Sequence, residues 1–173
     1  MTVTRCDIPA GSALDQDLIR RADYHDSFKV AVRDPDQSVV ELFSAIFGHL
    51  PLPMKWMLIA RNALARLIGL EAPSAAEIMN VRVSGPYALG DKIGVWPVFA
   101  LTETELIAGR DNWHMDFRLS VLKQSDTKGS SVVVTTICSV NNLFGRIYLT
   151  CIIPFHRYGV RRILANAAAA GRL

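Results

Sequence analysis

The sequence predicts an α+β fold: a sheet of antiparallel strands combined with two early helices and one long C-terminal helix. Three observations carry this expectation. An apolar period near 3.6 fills the stretch after residue 36, a period of two takes over between about residues 81 and 140, and a helical period returns from about Asn142 to Ala169. Strands gathered in the middle, with helices segregated to either side, fit an α+β arrangement better than an alternating α/β one. At 173 residues the chain is the size of one ordinary domain. Such a chain buries about two thirds of its unfolded surface, so its core needs no disulfide or metal.

The elements follow in order. Residues 1–22 are polar, hold Pro9 and Gly11, and are expected to wrap the surface of a core spanning 23–170. Ser27 to Arg33 alternate and form a first strand. In Asp34-Pro35-Asp36-Gln37, Asp34 is placed to cap a helix, Pro35 to take its first position, and Gln37 to complete a capping box. The helix that follows sets Val39, Leu42, Phe43, Ile46 and Phe47 on one face, and Pro51 and Pro53 break it. A second helix runs from about Met54 to Ile68, with Gly69 as a natural stop.

Turn signals at Ser84-Gly85-Pro86, Gly90-Asp91, Gly109 to Asn112 and Ser125 to Gly129 then separate strand-like runs. In the clearest run Trp113, Met115, Phe117, Leu119 and Val121 alternate with His114, Asp116, Arg118 and Ser120, which predicts one buried and one polar face. Ser131 to Val140 is β-branched on both faces and reads as a central strand. In the last helix Phe144, Ile147, Tyr148, Cys151, Ile152 and Phe155 keep helical spacing, and Pro154 removes the hydrogen bond to the Thr150 carbonyl.

This order resembles the helix-grip arrangement of the START and plant-allergen (SRPBCC-like) superfamily, in which a curved sheet wraps the last helix around a cavity. Particular residues carry a second resemblance. Arg21-Ala22-Asp23-Tyr24, Gly90 to Gly94, Asp111 to Arg118, Arg146 to Leu149 and Pro154 to Arg157 resemble the uncharacterised bacterial family 2867 of domains of unknown function, from about Arg21 to Arg162. That resemblance implies a helix-grip-like fold and occasional fusion to nucleotide-binding oxidoreductases, so a redox partner would here be a separate chain. It supplies no catalytic residues.

Composition and charge narrow the function classes. Hydrophobic residues make up 50% and charged residues 20% of the chain, on the apolar side for a water-soluble domain, which a large core, an apolar cavity or a docking surface would each explain. Net charge is +3, and no acidic residue follows Asp126, whereas Lys128, Arg146, Arg157, Arg161, Arg162 and Arg172 do. Cations near a helix C-terminus account for part of this asymmetry; weak contact with an anionic membrane surface would use the rest, and no nucleic acid is expected. Cys6, Cys138 and Cys151 are odd in number and lack CxxC spacing, the N-terminus lacks an apolar signal core, and a cytoplasmic setting is the expectation.

No phosphate loop, dinucleotide fingerprint or G-x-S-x-G elbow occurs, and His25, His49, His114 and His156 lack metal-site spacing, so neither cofactor nor metal is expected. His114, Asp116 and Arg118 are the catalytic candidates. Residues two apart on a strand lie about 6.6 Å apart on one face, and an aspartate beside a histidine can orient it for proton transfer. A solvated face with Asp116 paired to Arg118 is the plainer alternative. Met115, Phe117, Phe144, Tyr148, Ile152 and Phe155 are the candidate ligand-lining residues between sheet and last helix. The expected function is binding of a hydrophobic or amphipathic small molecule in that cavity. A cyclase or isomerase using the same cavity, and a membrane- or protein-docking module, are the alternatives; oligomeric state stays open.

Overall fold

In a computed structural model, which describes residues 2–67, 74–79, 87–127 and 129–173, the chain is α+β as expected. Its elements are β1 (Thr4–Cys6), α1 (Gln16–Arg20), β2 (Tyr24–Val32), α2 (Val39–Phe47), α3 (Leu52–Leu67), α4 (Ala75–Met79), β3 (Lys92–Ile93), β4 (Trp96–Leu101), β5 (Glu105–Asp111), β6 (Met115–Asp126), β7 (Gly129–Val140) and α5 (Leu143–Ala169). The strands form one curved, unclosed antiparallel sheet in the order β1-β2-β7-β6-β5-β4-β3. The β-branched run expected to be central is β7, hydrogen-bonded between β2 and β6 over its length.

The inner face of the sheet is set by the ladder. Phe28 and Val30 oppose Val134 and Val132, and Leu119 and Val121 oppose Ala108 and Leu106. Against them pack Leu42, Phe43 and Ile46 of α2 and Val160, Leu164 and Ala167 of the second half of α5, making one continuous core. Each valine, leucine, isoleucine or phenylalanine among them contributes about 1.5–3 kcal/mol when taken from water. Helix α5 ends in a reciprocal pattern at Gly171, whose φ is +67°: Arg172 donates to the Ala167 carbonyl and Gly171 to that of Ala168. The positive φ there is what glycine tolerates and alanine does not.

The structure corrects several details. The first strand predicted is neither first nor confined to Ser27–Arg33. An edge strand, β1, precedes it, and β2 begins at Tyr24 because Tyr24 and Asp26 continue the alternation on the inner face. Residues 2–22 run along the edge and outer face of the sheet and bring a core of their own. Leu14 and Leu18 are buried against Ile107 and Ile137 on the outer face. Glu105 holds this segment down, accepting from Ser12 Oγ at 2.6 Å, Ala13 N at 2.5 Å and Ser120 Oγ at 2.5 Å. With both faces covered, β6 is buried without interruption from Leu119 to Leu122, so its polar face is solvated only near its ends.

Helix α2 starts later than Asp34. Ser38 is its cap and forms a complete box with Glu41, which outcompetes Gln37 because both reciprocal bonds form. Asp34 instead accepts from Asp36 N in a local turn. The turn expected at Gly109 to Asn112 is displaced, because Gly109, Arg110 and Asp111 still pair with Arg118, Phe117 and Asp116. Trp113 and His114 therefore sit in the connection and β6 opens at Met115. Ile68, the Gly69 stop, Val81 and the Ser84–Pro86 turn lie outside the described residues. The last helix begins where the period returns, with Asn142 as its cap, and Pro154 lies inside it.

Candidate functional site

The inner sheet face beside α5 holds a connected group of polar side chains. Tyr24 and Asp26 are two apart on β2 and share that face. Asp26 is 2% exposed. Its Oδ2 accepts from the Tyr24 hydroxyl at 2.5 Å, and its Oδ1 lies 3.3 Å from His156 Nε2 on α5. Arg157, next along the helix, donates from Nε to the Tyr24 oxygen at 3.2 Å, and its guanidinium carbon stands 5.3 Å from the Tyr24 ring centre. Thr136 faces Asp26 across the ladder, buried, with no partner for its hydroxyl among the described residues.

Burial pushes the Tyr24 phenol above its ordinary value, and its bond to Asp26 adds to the rise. The phenol thus stays a donor and fixes the carboxylate as acceptor. Cys138, opposite Tyr24, is pushed up to about 12 by burial with Asp26 and Asp23 adding, so it is a packed thiol and not a nucleophile. Next to this quartet runs an apolar wall, with Met115, Phe117 and Ile153 half-buried around Tyr24, Cys138 and Leu149. Trp96 closes it toward β4, its ring 6.1 Å from that of Phe117.

The predicted ligand-lining residues divide three ways. Met115 and Phe117 belong to this wall, and Ile152 is half-buried on α5. Phe144 and Tyr148 pack elsewhere, around His114 and Trp113 at the start of α5. Phe155 is 66% exposed and points away from the interior. Farther along, the space under the second half of α5 is filled by the core side chains of α2. A recess of about 210 Å³ lies instead on the outer face, between Leu14, Leu18 and Arg21 and the strand residues Phe99, Ile107 and Arg118. No group of three His, Cys, Asp or Glu side chains among the described residues is placed to hold a metal ion.

The catalytic candidates do not come together. Asp116 and Arg118 share the outer face, but Arg118 donates to both oxygens of Asp111, at 2.6 and 3.1 Å, and caps the Phe99 ring. Asp116 accepts from Asn141 at 3.2 Å and lies 3.6 Å from Arg21. His114 precedes the strand and is buried among Trp113, Phe144 and Tyr148, with ring centres 5.4–5.7 Å away. Its Nδ1 has no partner among the described residues. Desolvation lowers its pKa, so the unfolded chain takes up this proton first as pH falls. Stability is thus full above about 6.5, the value in an unfolded chain, and falls below it. Melting curves of wild type and His114→Phe are expected to diverge as the pH drops toward about 5, the variant losing less; parallel curves would contradict the assignment.

The sequence reading missed Tyr24, Asp26, His156 and Arg157 as one group, although Tyr24, His156 and Arg157 stand in segments that carry the family resemblance. A family model now decides that relationship, matching residues 18–163. The chain belongs to the DUF2867 family of proteins of unknown function. No curated relative and no solved structure matches it. The matched region includes the whole quartet and the apolar wall beside it.

Proposed function

We propose that this protein binds an amphipathic small molecule on the inner face of the sheet beside α5. The polar head would lie against Tyr24, Asp26, His156 and Arg157 and the apolar body along Met115, Phe117 and Ile153. The observation that carries the reading is a buried carboxylate whose partners are drawn from a strand and a helix, bordered by half-buried apolar side chains. A few convergent polar groups beside an apolar wall is the usual build of a small-molecule site. Asp26 offers acceptor oxygens, and Arg157 and His156 offer donors, so the fitting head group carries hydroxyl or carbonyl oxygens. A helix-grip fold, with its ligand between sheet and last helix, is the architecture this reading extends.

Trp96 reports the site in a Trp56→Phe, Trp113→Phe background. Titration with monododecanoylglycerol is expected to change its fluorescence saturably, and Asp26→Asn to weaken binding about tenfold, a loss of one charge-assisted hydrogen bond. No saturable change with hydroxylated amphiphiles of any chain length would sink the proposal. The same quartet favours one second reading, an isomerase or cyclase. A half-exposed histidine hydrogen-bonded to a buried aspartate is an acid–base pair, a role then belonging to His156 in place of His114 or Tyr148. Recovery of a bound molecule chemically unaltered after long incubation would count against that version.

A further inference from the structure

The side of α5 turned away from the core carries an apolar stripe that no described residue covers. Leu143, Ile147, Phe155 and Tyr158 lie on one face by their spacing. Trp113, stacked on Phe144 with ring centres 5.4 Å apart, extends the stripe past the first turn. These five side chains are 59–73% exposed, whereas Leu149, Val160 and Leu164 on the opposite side are buried. From Leu143 to Tyr158 the stripe is about 22 Å long at 1.5 Å per residue. Scattered exposed apolar residues are ordinary, but a continuous row of this length on one helix is not.

The charge around the stripe says what would cover it. Helix α5 contains Arg146, Arg157, Arg161 and Arg162 and no aspartate or glutamate. Arg161 and Arg162 are exposed at the end of the stripe and make no ion pair among the described residues. No single helix among the described residues is long and apolar enough to cross a membrane. We propose that this face of α5 docks in the plane of an anionic lipid surface, with the aliphatic and aromatic row entering the headgroup boundary and Arg161 and Arg162 meeting lipid phosphates. Tryptophan and tyrosine suit that boundary because each joins an apolar ring to a polar handle, phenylalanine and the aliphatic side chains suit its apolar side, and an acid-free basic helix is drawn to anionic lipid. A second copy of the chain fits less well, since a two-fold contact along α5 would set arginines against arginines.

Co-sedimentation of the intact protein with vesicles tests this. Binding is expected to vesicles of phosphatidylcholine mixed with phosphatidylglycerol at low salt, to fade as salt screens it, and to be absent with phosphatidylcholine alone. Arg161→Ala with Arg162→Ala should lower partitioning about 25-fold, from about fivefold per cation. Phe155→Ser, at an exposed position, should abolish binding while leaving the melting temperature unchanged. Failure to bind anionic vesicles at low salt would overturn the proposal, as would binding indifferent to both variants. Concentration-dependent dimerisation that Phe155→Ser removes would assign the stripe to a second copy and overturn it equally.

Discussion

Gly145→Ala is expected to destabilise the protein by about 3 kcal/mol or more, the upper end of overpacking costs, because backbone and not a flexible side chain must give way. A Cβ at residue 145 would collide with the carbonyl oxygen of His114 and lie 3.2 Å from a Val140 methyl. The bare glycine lets the first turn of α5 press directly onto the connection between β5 and β6. Three interactions depend on that approach. Asn142 Nδ2 donates to the Trp113 carbonyl at 3.0 Å, Phe144 stacks on Trp113, and Tyr148 meets the edge of His114. Chemical denaturation reads the loss as a lower midpoint at unchanged slope. A variant within about 0.5 kcal/mol of wild type, the spread of ordinary surface changes, would mean that the helix start is not pinned at this point.

Asp26→Ala carries the second large effect. It removes the acceptor shared by Tyr24 and His156 and leaves the buried phenol facing an apolar gap. Breaking a buried charged group's set of partners costs about 3–5 kcal/mol when one side is removed. Asp26→Asn keeps the shape and one acceptor oxygen, so it should cost clearly less, about 1–3 kcal/mol for one imperfectly satisfied group. The order of the two variants is the informative quantity. Equal losses would show that the charge itself, and not the acceptor geometry, holds β2 to α5. A negligible loss in both would show that the quartet does not tie helix to sheet at all.

Much of this arrangement was legible in the sequence, for identifiable reasons. The β-branched run from Ser131 announces a strand covered on both faces, and Asn142 followed by a helical period announces α5. The helix cap was misplaced because Asp34-Pro35 and Ser38-x-x-Glu41 are both start signals, and only the hydrogen bonds of the second close. The site was harder to read. Alternation around Trp113 looks continuous with the strand, but His114 is turned out of register by the connection that Gly145 packs against. Tyr24 and Asp26 are two apart and belong to β2, yet the polar letters around them, Asp23, His25 and Ser27, mask the period. Their partners His156 and Arg157 are 130 and more residues away, a pairing that only the return of α5 across β2 creates. Phe155 obeys the same helical spacing as Ile152, and only the packing shows that one is half-buried and the other exposed.

Native mass spectrometry on the protein purified from its own host tests the central claim most directly, comparing intact mass before and after denaturation for wild type and Asp26→Asn. The account predicts a discrete co-purifying mass on the wild type, released by denaturation, oxygen-bearing and amphipathic, and reduced or lost in the Asp26→Asn protein. A bound mass retained equally by both proteins would contradict the assignment of Asp26 as the anchor, and a clean mass in both, together with no saturable response of Trp96, would contradict the binding function itself.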